Sequence, residues 1–239
     1  MLPIDLGKNE VLVYQIDTDI DDSYVFPFSK LLTPEELRRA IKFYFERDRK
    51  TYILTRGILR TILGSLLRKN PVELLISYST YGKPFLVSDE NTSDIRFNVS
   101  HSLDKALIAI TKGRDVGVDI EYIRPLRYED RIQERFFSSK ENEALRYLPK
   151  DIQHRAFFTC WTRKEAFIKA KGGGLNIPLR QFTVSVDPKE PAQLLLTEWE
   201  PNEVSRWKII DLNIRTGYTA ALTVEWHDWS LNYQKWSFI

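Results

Sequence analysis

Two long runs with apolar residues at helical spacing, Arg47–Lys69 and Asp151–Gly172, each lie among short alternating stretches, and this pairing limits the folds open to the chain. In the first run Ile53, Leu54, Ile58, Leu59, Ile62, Leu63, Leu66 and Leu67 recur three and four apart, as one side of a helix requires. In the second, Phe157, Cys160, Trp161, Phe167 and Ile168 form a stripe, with Glu165 and Lys169 side by side at its border and Lys164 inside it. A shorter helix is predicted at "LTPEELRRAIKFYF": Thr33 can cap it, Pro34 sits at the first helical position, and Glu36 completes a capping box. A further helical stretch runs through "YEDRIQERFFSSKENEALRYL". Strands are read at "EVLVYQI", on both sides of the Tyr-Gly-Lys-Pro turn in "ELLISYSTYGKPFLV", and at "IRFNVSHS" and "KALIAIT". They return at Val116–Ile123, "FTVSV", "AQLLLTEW", "RWKIIDLNI" and "YTAALTVEW".

The fold class is therefore α+β. After "GRD" the pattern of strands around a long helix begins again, so the halves are placed at 1–114 and 115–239. "GYTAALTVEW" matches "DKALIAITKG" in pattern, which points to an internal duplication. With no low-complexity linker, the halves are expected to pack tightly, and such an interface commonly holds a ligand. At 239 residues with 43% hydrophobic content, the chain can fill a real core. One cysteine forms no internal disulfide, and the opening residues carry neither a basic leader nor a signal-length apolar run, so a cytoplasmic protein is expected. The balance of 35 basic and 33 acidic residues proposes neither nucleic acid nor membrane as a partner.

The strand "VGVDIEYIRP" places Gly117, Asp119 and Glu121 on one face. Two residues of strand rise set the two acidic β-carbons about 6.5–7 Å apart. They are either the wet face of a half-buried strand or a pair converging on one divalent cation, with Gly117 leaving room for a ligand. Glu165 and Lys169 have the spacing of an ordinary helical ion pair. Lys164 among aromatics needs a partner, an anion or a route to solvent. "KGGGL" lacks phosphate-loop spacing, so its glycines are read as ending the helix. Ser100 and His101 are adjacent in an extended segment and point opposite ways, which suits anion binding better than mutual activation. Arg47, Arg49, Lys50, Arg56 and Lys83 are either solvated surface or a phosphate-gathering set. Cys160 lies on the apolar side of its helix and reads as a buried small hydrophobe.

In this order, "GKP", "FNVSHS", "VGVDIE" and "WTRKEAFIKAKGGGL" resemble the signature elements of the 4'-phosphopantetheinyl transferase superfamily, in its surfactin-type branch. The match spans about residues 30 to 225, and its two most specific elements lie about 40 residues apart. The resemblance implies two similar α/β halves packed as a pseudo-twofold dimer within one chain, each with a small, mostly antiparallel sheet and a long helix, and a site between them. It implies transfer of the phosphopantetheine arm of coenzyme A to a serine of an apo acyl or peptidyl carrier protein, releasing adenosine 3',5'-bisphosphate. By the same resemblance Asp119, Glu121 and Glu165 surround Mg²⁺. Glu165 takes the serine proton directly or through a metal-bound water, and Lys169 offsets charge on the breaking pyrophosphate. Lys83, Pro84, Ser100 and His101 match coenzyme A contacts; Arg49 and Arg56, with Arg47 and Lys50 as further candidates, match the basic set for the 3'-phosphate, and Lys164 supports the site. A monomer is implied, and the basic and apolar segment Arg124–Phe137 is the expected docking surface for an acidic carrier. A rival reading is a non-catalytic protein of the same fold that binds coenzyme A or a carrier. Nucleic-acid binding through the basic helix is a third, with no aromatic platform beside it.

Overall fold

In the computed structural model, residues 4–87, 93–125 and 129–238 are described. In chain order the elements are β1 (Glu10–Asp17), α1 (Val25–Ser29), α2 (Pro34–Ile41), α3 (Glu46–Leu67), β2 (Ile76–Tyr78), β3 (Pro84–Leu86), β4 (Ile95–Ser102), β5 (Lys105–Lys112) and β6 (Val116–Tyr122). There follow α4 (Glu129–Phe136), α5 (Ser139–Tyr147), α6 (Lys150–Lys171), β7 (Phe182–Val184), β8 (Leu194–Thr197), α7 (Glu203–Arg206), β9 (Trp207–Asp211), β10 (Tyr218–Glu225) and β11 (Ser230–Lys235). The fold is α+β and divides into two compact units. Among the described residues no helix is long and apolar enough to cross a membrane.

The first unit comprises Met1–Tyr78, Pro84–Gly113 and Ser230–Ile239. Its sheet has the order β11-β1-β5-β4, antiparallel except for the parallel pairing of β1 with β11. The predicted stripe of α3 is its core face: Ile58, Leu59, Ile62 and Leu63 bury against Leu12, Tyr14, Ile16, Phe97 and Ile108. α2 begins on the expected capping box, with the Glu36 backbone N–H donating to Thr33 Oγ1 at 3.3 Å and the Thr33 N–H donating to Glu36 Oε2 at 2.8 Å. The division at 114 assigned the chain's last residues to the second half. β11 was not expected from the sequence, because "SLNYQK" carries few apolar residues; it pairs with β1 through a parallel ladder reinforced by side-chain hydrogen bonds from Asn232 to Glu10 and from Tyr233 to Gln15.

The second unit comprises Ser79–Lys83 and Arg114–Trp229. Its sheet, β6-β10-β9, is antiparallel throughout. α6 ends where the glycines begin, with Gly172 at φ 74° and its N–H donating to the Ile168 carbonyl. The single helical stretch expected across 128–148 is two helices, because Ser138 caps α5 with a second capping box to Glu141 and so interrupts the first. Each unit thus contains a small sheet and one 22-residue helix. The two strands with similar patterns, β5 and β10, are both interior strands of their sheets.

Candidate active site

The site starts from a missing side chain. A β-carbon on Gly117 would lie 2.1 Å from the Ala166 carbonyl oxygen and 2.3 Å from the Ala170 nitrogen. The helix backbone therefore rests directly on β6, a closeness that only glycine permits. Gly117 does not clear space for a ligand, as the sequence suggested; α6 fills that space. The acidic face of β6 is consequently not a wet face. Asp119 is 3% exposed and Glu121 half-buried, on the sheet face that α6 covers.

This packing brings the border of α6 to the strand. Lys169 Nζ donates to Asp119 Oδ1 at 2.5 Å and to the Val118 carbonyl at 3.4 Å. Glu165 lies one turn earlier, half-buried. Burial first, then the Asp119 and Glu121 carboxylates, push its pKa up to about 7 against the opposing pull of Lys169. Asp119, Glu121, Glu165 and Lys169 therefore form one electrostatic cluster. Among the described residues, no three acidic, histidine or cysteine side chains already converge as a metal cage. The donor chemistry nonetheless fits magnesium: hard oxygens, crowded negative charge, and an ion that keeps few protein ligands and takes the rest from phosphate and water.

The other predicted residues have definite places. Lys83 Nζ donates to the Ala170 carbonyl at 2.8 Å, so this lysine caps the C-terminal end of α6, where a cation is favoured. Pro84 opens β3 in the first unit. Ser100 and His101, also in the first unit, take opposite faces of β4, the serine buried and the histidine exposed. Arg56 is buried, its Nε donating to Glu36 Oε1 at 2.5 Å and its Nη2 to the Tyr78 hydroxyl at 2.9 Å. It lines a cavity of about 940 Å³ with Arg38, Arg39, Lys42 and Tyr52. Arg49 is on the surface with Glu46 at 3.1 Å, Arg47 pairs with Asp48, and Lys50 pairs with Asp22. Of the basic residues ahead of and within α3 named from sequence, Arg56 lines that cavity; Arg38, Arg39 and Lys42 were not anticipated. In the segment 124–137, residues 126–128 lie outside the described residues.

Lys164 is fully buried, donating to Glu141 Oε1 and Oε2 at 2.8 and 2.7 Å and to the Phe182 carbonyl at 2.8 Å. Glu141 also accepts from the Val184 N–H at 2.7 Å, so this pair ties α5, α6 and β7 together. Its role is architectural. The capping box between Ser138 and Glu141 was not anticipated, and nothing in the sequence marked Glu141 as the partner of Lys164. Cys160 is buried and its thiol pKa is raised well above the ordinary value, chiefly by burial, consistent with a packing residue.

Residues 115–223 match the 4'-phosphopantetheinyl transferase superfamily, and residues 22–112 match the family described as 4'-phosphopantetheinyl transferase, N-terminal. The chain is 35% identical over 224 residues to 4'-phosphopantetheinyl transferase HetI of Nostoc sp., covering 94% of this chain and 91% of that one. It is 32% identical over 157 residues to 4'-phosphopantetheinyl transferase Sfp of Bacillus subtilis, covering 66% and 67%. A solved holo-(acyl-carrier-protein) synthase from Bacillus anthracis in complex with CoA (3',5'-ADP) aligns with a TM-score of 0.37 at 18% identity, over 46% of this chain and 94% of that one. With family matches in both halves of the sequence and a relative aligned along nearly its whole length, the chain belongs to the 4'-phosphopantetheinyl transferase superfamily.

Proposed function

We propose that the protein transfers the 4'-phosphopantetheine arm of coenzyme A to a serine of an apo acyl or peptidyl carrier protein, and that Asp119, Glu121, Glu165 and Lys169 carry the reaction. The observation that supports this most is the seating of α6 on Gly117, which gathers three carboxylates and one ammonium that are far apart in sequence. Asp119, Glu121 and Glu165 would hold magnesium, which when bound neutralises the pyrophosphate of coenzyme A and makes its phosphorus easier to attack. The serine oxygen forms a bond to the β-phosphorus while the bridging phosphorus–oxygen bond to adenosine 3',5'-bisphosphate breaks. The serine proton passes to the Glu165 carboxylate, directly or through a water. Lys169, held beside the cluster by Asp119, offsets the charge that develops on the leaving phosphate.

Arg56, with the neighbouring cations of its cavity, is the candidate for the 3'-phosphate, and Ser100 and His101 for further phosphate contacts. Lys83 can exchange its helix carbonyl for a ligand phosphate, both being acceptors for an ammonium. The described part of the segment from Arg124 to Phe137 is the proposed carrier contact. The presence in one chain of two units, each with a sheet and a long helix, supports action as a monomer.

The test is incubation with coenzyme A, Mg²⁺ and a panel of apo carrier proteins from fatty acid, polyketide and nonribosomal peptide synthases. A carrier gaining the mass of one phosphopantetheine is expected. No gain on any carrier, with tight coenzyme A binding indifferent to Mg²⁺, would instead support a binding protein that retains the fold without the chemistry.

A further inference from the structure

Across the ladder between β10 and β6, Thr219 lies directly opposite Glu121, Ala221 opposite Asp119, and Thr223 opposite Gly117. Directly opposed residues share a face, so both threonines project on the side of the sheet that carries the carboxylates. Both are buried, Thr219 at 6% exposure and Thr223 at 0%, and neither hydroxyl has a hydrogen-bond partner. A buried hydroxyl without a partner costs stability, and valine would fill the same β-branched shape without that cost.

The two positions differ in what can reach them. Thr223 neighbours Gly117, where the backbone of α6 occupies the space. Thr219 neighbours Glu121 at the end of β6 that rises toward solvent, with Glu121 half-buried and Tyr122 exposed. A ligand at the carboxylates can therefore approach Thr219 but not Thr223.

We propose that Thr219 is a positioning residue of the carboxylate site: its hydroxyl donates to Glu121 and fixes that carboxylate once a divalent cation draws it toward Asp119 and Glu165. The inference rests on the transferase reading and adds a residue to it. On this view the hydroxyl's lack of a partner in the resting protein is a stability sacrifice that ligand binding recovers.

The experiment compares the full chain with Thr219→Val, Thr219→Ser and Thr223→Val by three measurements: thermal unfolding, Mn²⁺ titration without coenzyme A, and steady-state transfer to an apo carrier. Thr219→Val should unfold at the same or a higher temperature, bind Mn²⁺ about tenfold more weakly and raise the KM for coenzyme A, with kcat changed much less. Thr219→Ser should restore Mn²⁺ affinity, and Thr223→Val should leave it unchanged. If Thr219→Val does not fold, Thr219→Ala carries the same comparison. A wild-type protein that transfers normally alongside an equally tight-binding Thr219 variant overturns the role of Thr219 alone. A wild type that neither binds Mn²⁺ nor transfers overturns the transferase reading with it.

Discussion

Gly117 and Ala166 touch through backbone alone: the position a β-carbon would take on Gly117 is 2.1 Å from the Ala166 carbonyl oxygen. Any side chain there must push α6 off the sheet. Gly117→Ala is expected to destabilise the protein by about 1–3 kcal/mol or more, as overpacking of a rigid contact does. Because the displaced helix carries Glu165 and Lys169, transfer should fall by far more than the lost folded fraction accounts for. Denaturant unfolding and a transfer assay under conditions where the variant stays folded check both parts; a stable, fully active variant would remove this contact as the organiser of the site.

The buried pair makes a separate prediction about stability. Lys164→Met leaves Glu141 charged and buried with only backbone donors, and the expected loss is about 3–5 kcal/mol. Adding Glu141→Gln should recover part of it, since the amide keeps an acceptor for the Val184 N–H without the charge. A double-mutant cycle from urea unfolding reads the coupling. If each single change costs little, the pair is not what holds α5 and β7 to α6.

Much of this was legible in the sequence, for identifiable reasons. Both long helices, the capping box at Thr33 and the glycine stop at Gly172 rest on local signals, which spacing and side-chain chemistry report directly. Asp119, Glu121, Glu165 and Lys169 were recognised from two motifs, and the structure brings them into one cluster. What escaped is non-local. β11 is held by a parallel ladder to β1, some 220 residues away, and leaves little apolar pattern of its own. Gly117 was read as clearance for a ligand because a strand on its own does not reveal that a helix lies on it. Lys164 and Arg56 were plain as cations, but their carboxylate partners are 23 and 20 residues distant in sequence, with no fixed spacing to announce them.

The raised pKa of Glu165 has a consequence for stability, with a definite sign. Its folded value of about 7 lies above the ordinary 4.5, so between those limits the native protein holds a proton that the unfolded chain releases. Stability should therefore decline as pH rises from about 4.5 to 7 and then level off. Glu165→Gln removes that decline: the variant should gain stability relative to wild type at pH above 7, the advantage shrinking toward acid, while transfer is lost. Thermal unfolding across this range checks it. Mg²⁺ should raise the wild-type melting temperature more at the alkaline end, where the carboxylates repel one another most. Equal pH profiles for wild type and Glu165→Gln would mean that Glu165 titrates normally.

Asp119 is the neighbouring charge that acts most strongly on Glu165, second only to burial, and it also holds Lys169 at 2.5 Å. Asp119→Asn preserves shape while removing the charge, so two effects act on Glu165 together. One repelling carboxylate disappears, and Lys169 loses its anionic partner and becomes available to Glu165. Both lower the Glu165 pKa, shifting it from about 7 toward the ordinary carboxylate range. Transfer should be abolished, because the ammonium is redirected and a hard anionic oxygen is gone, whereas the fold should survive with thermal stability near that of the wild type. A carbon-13 NMR titration of the Glu165 carboxyl in both proteins gives the direct comparison. A Glu165 pKa unchanged by Asp119→Asn would show that burial alone sets it and that the two carboxylates do not act as one site.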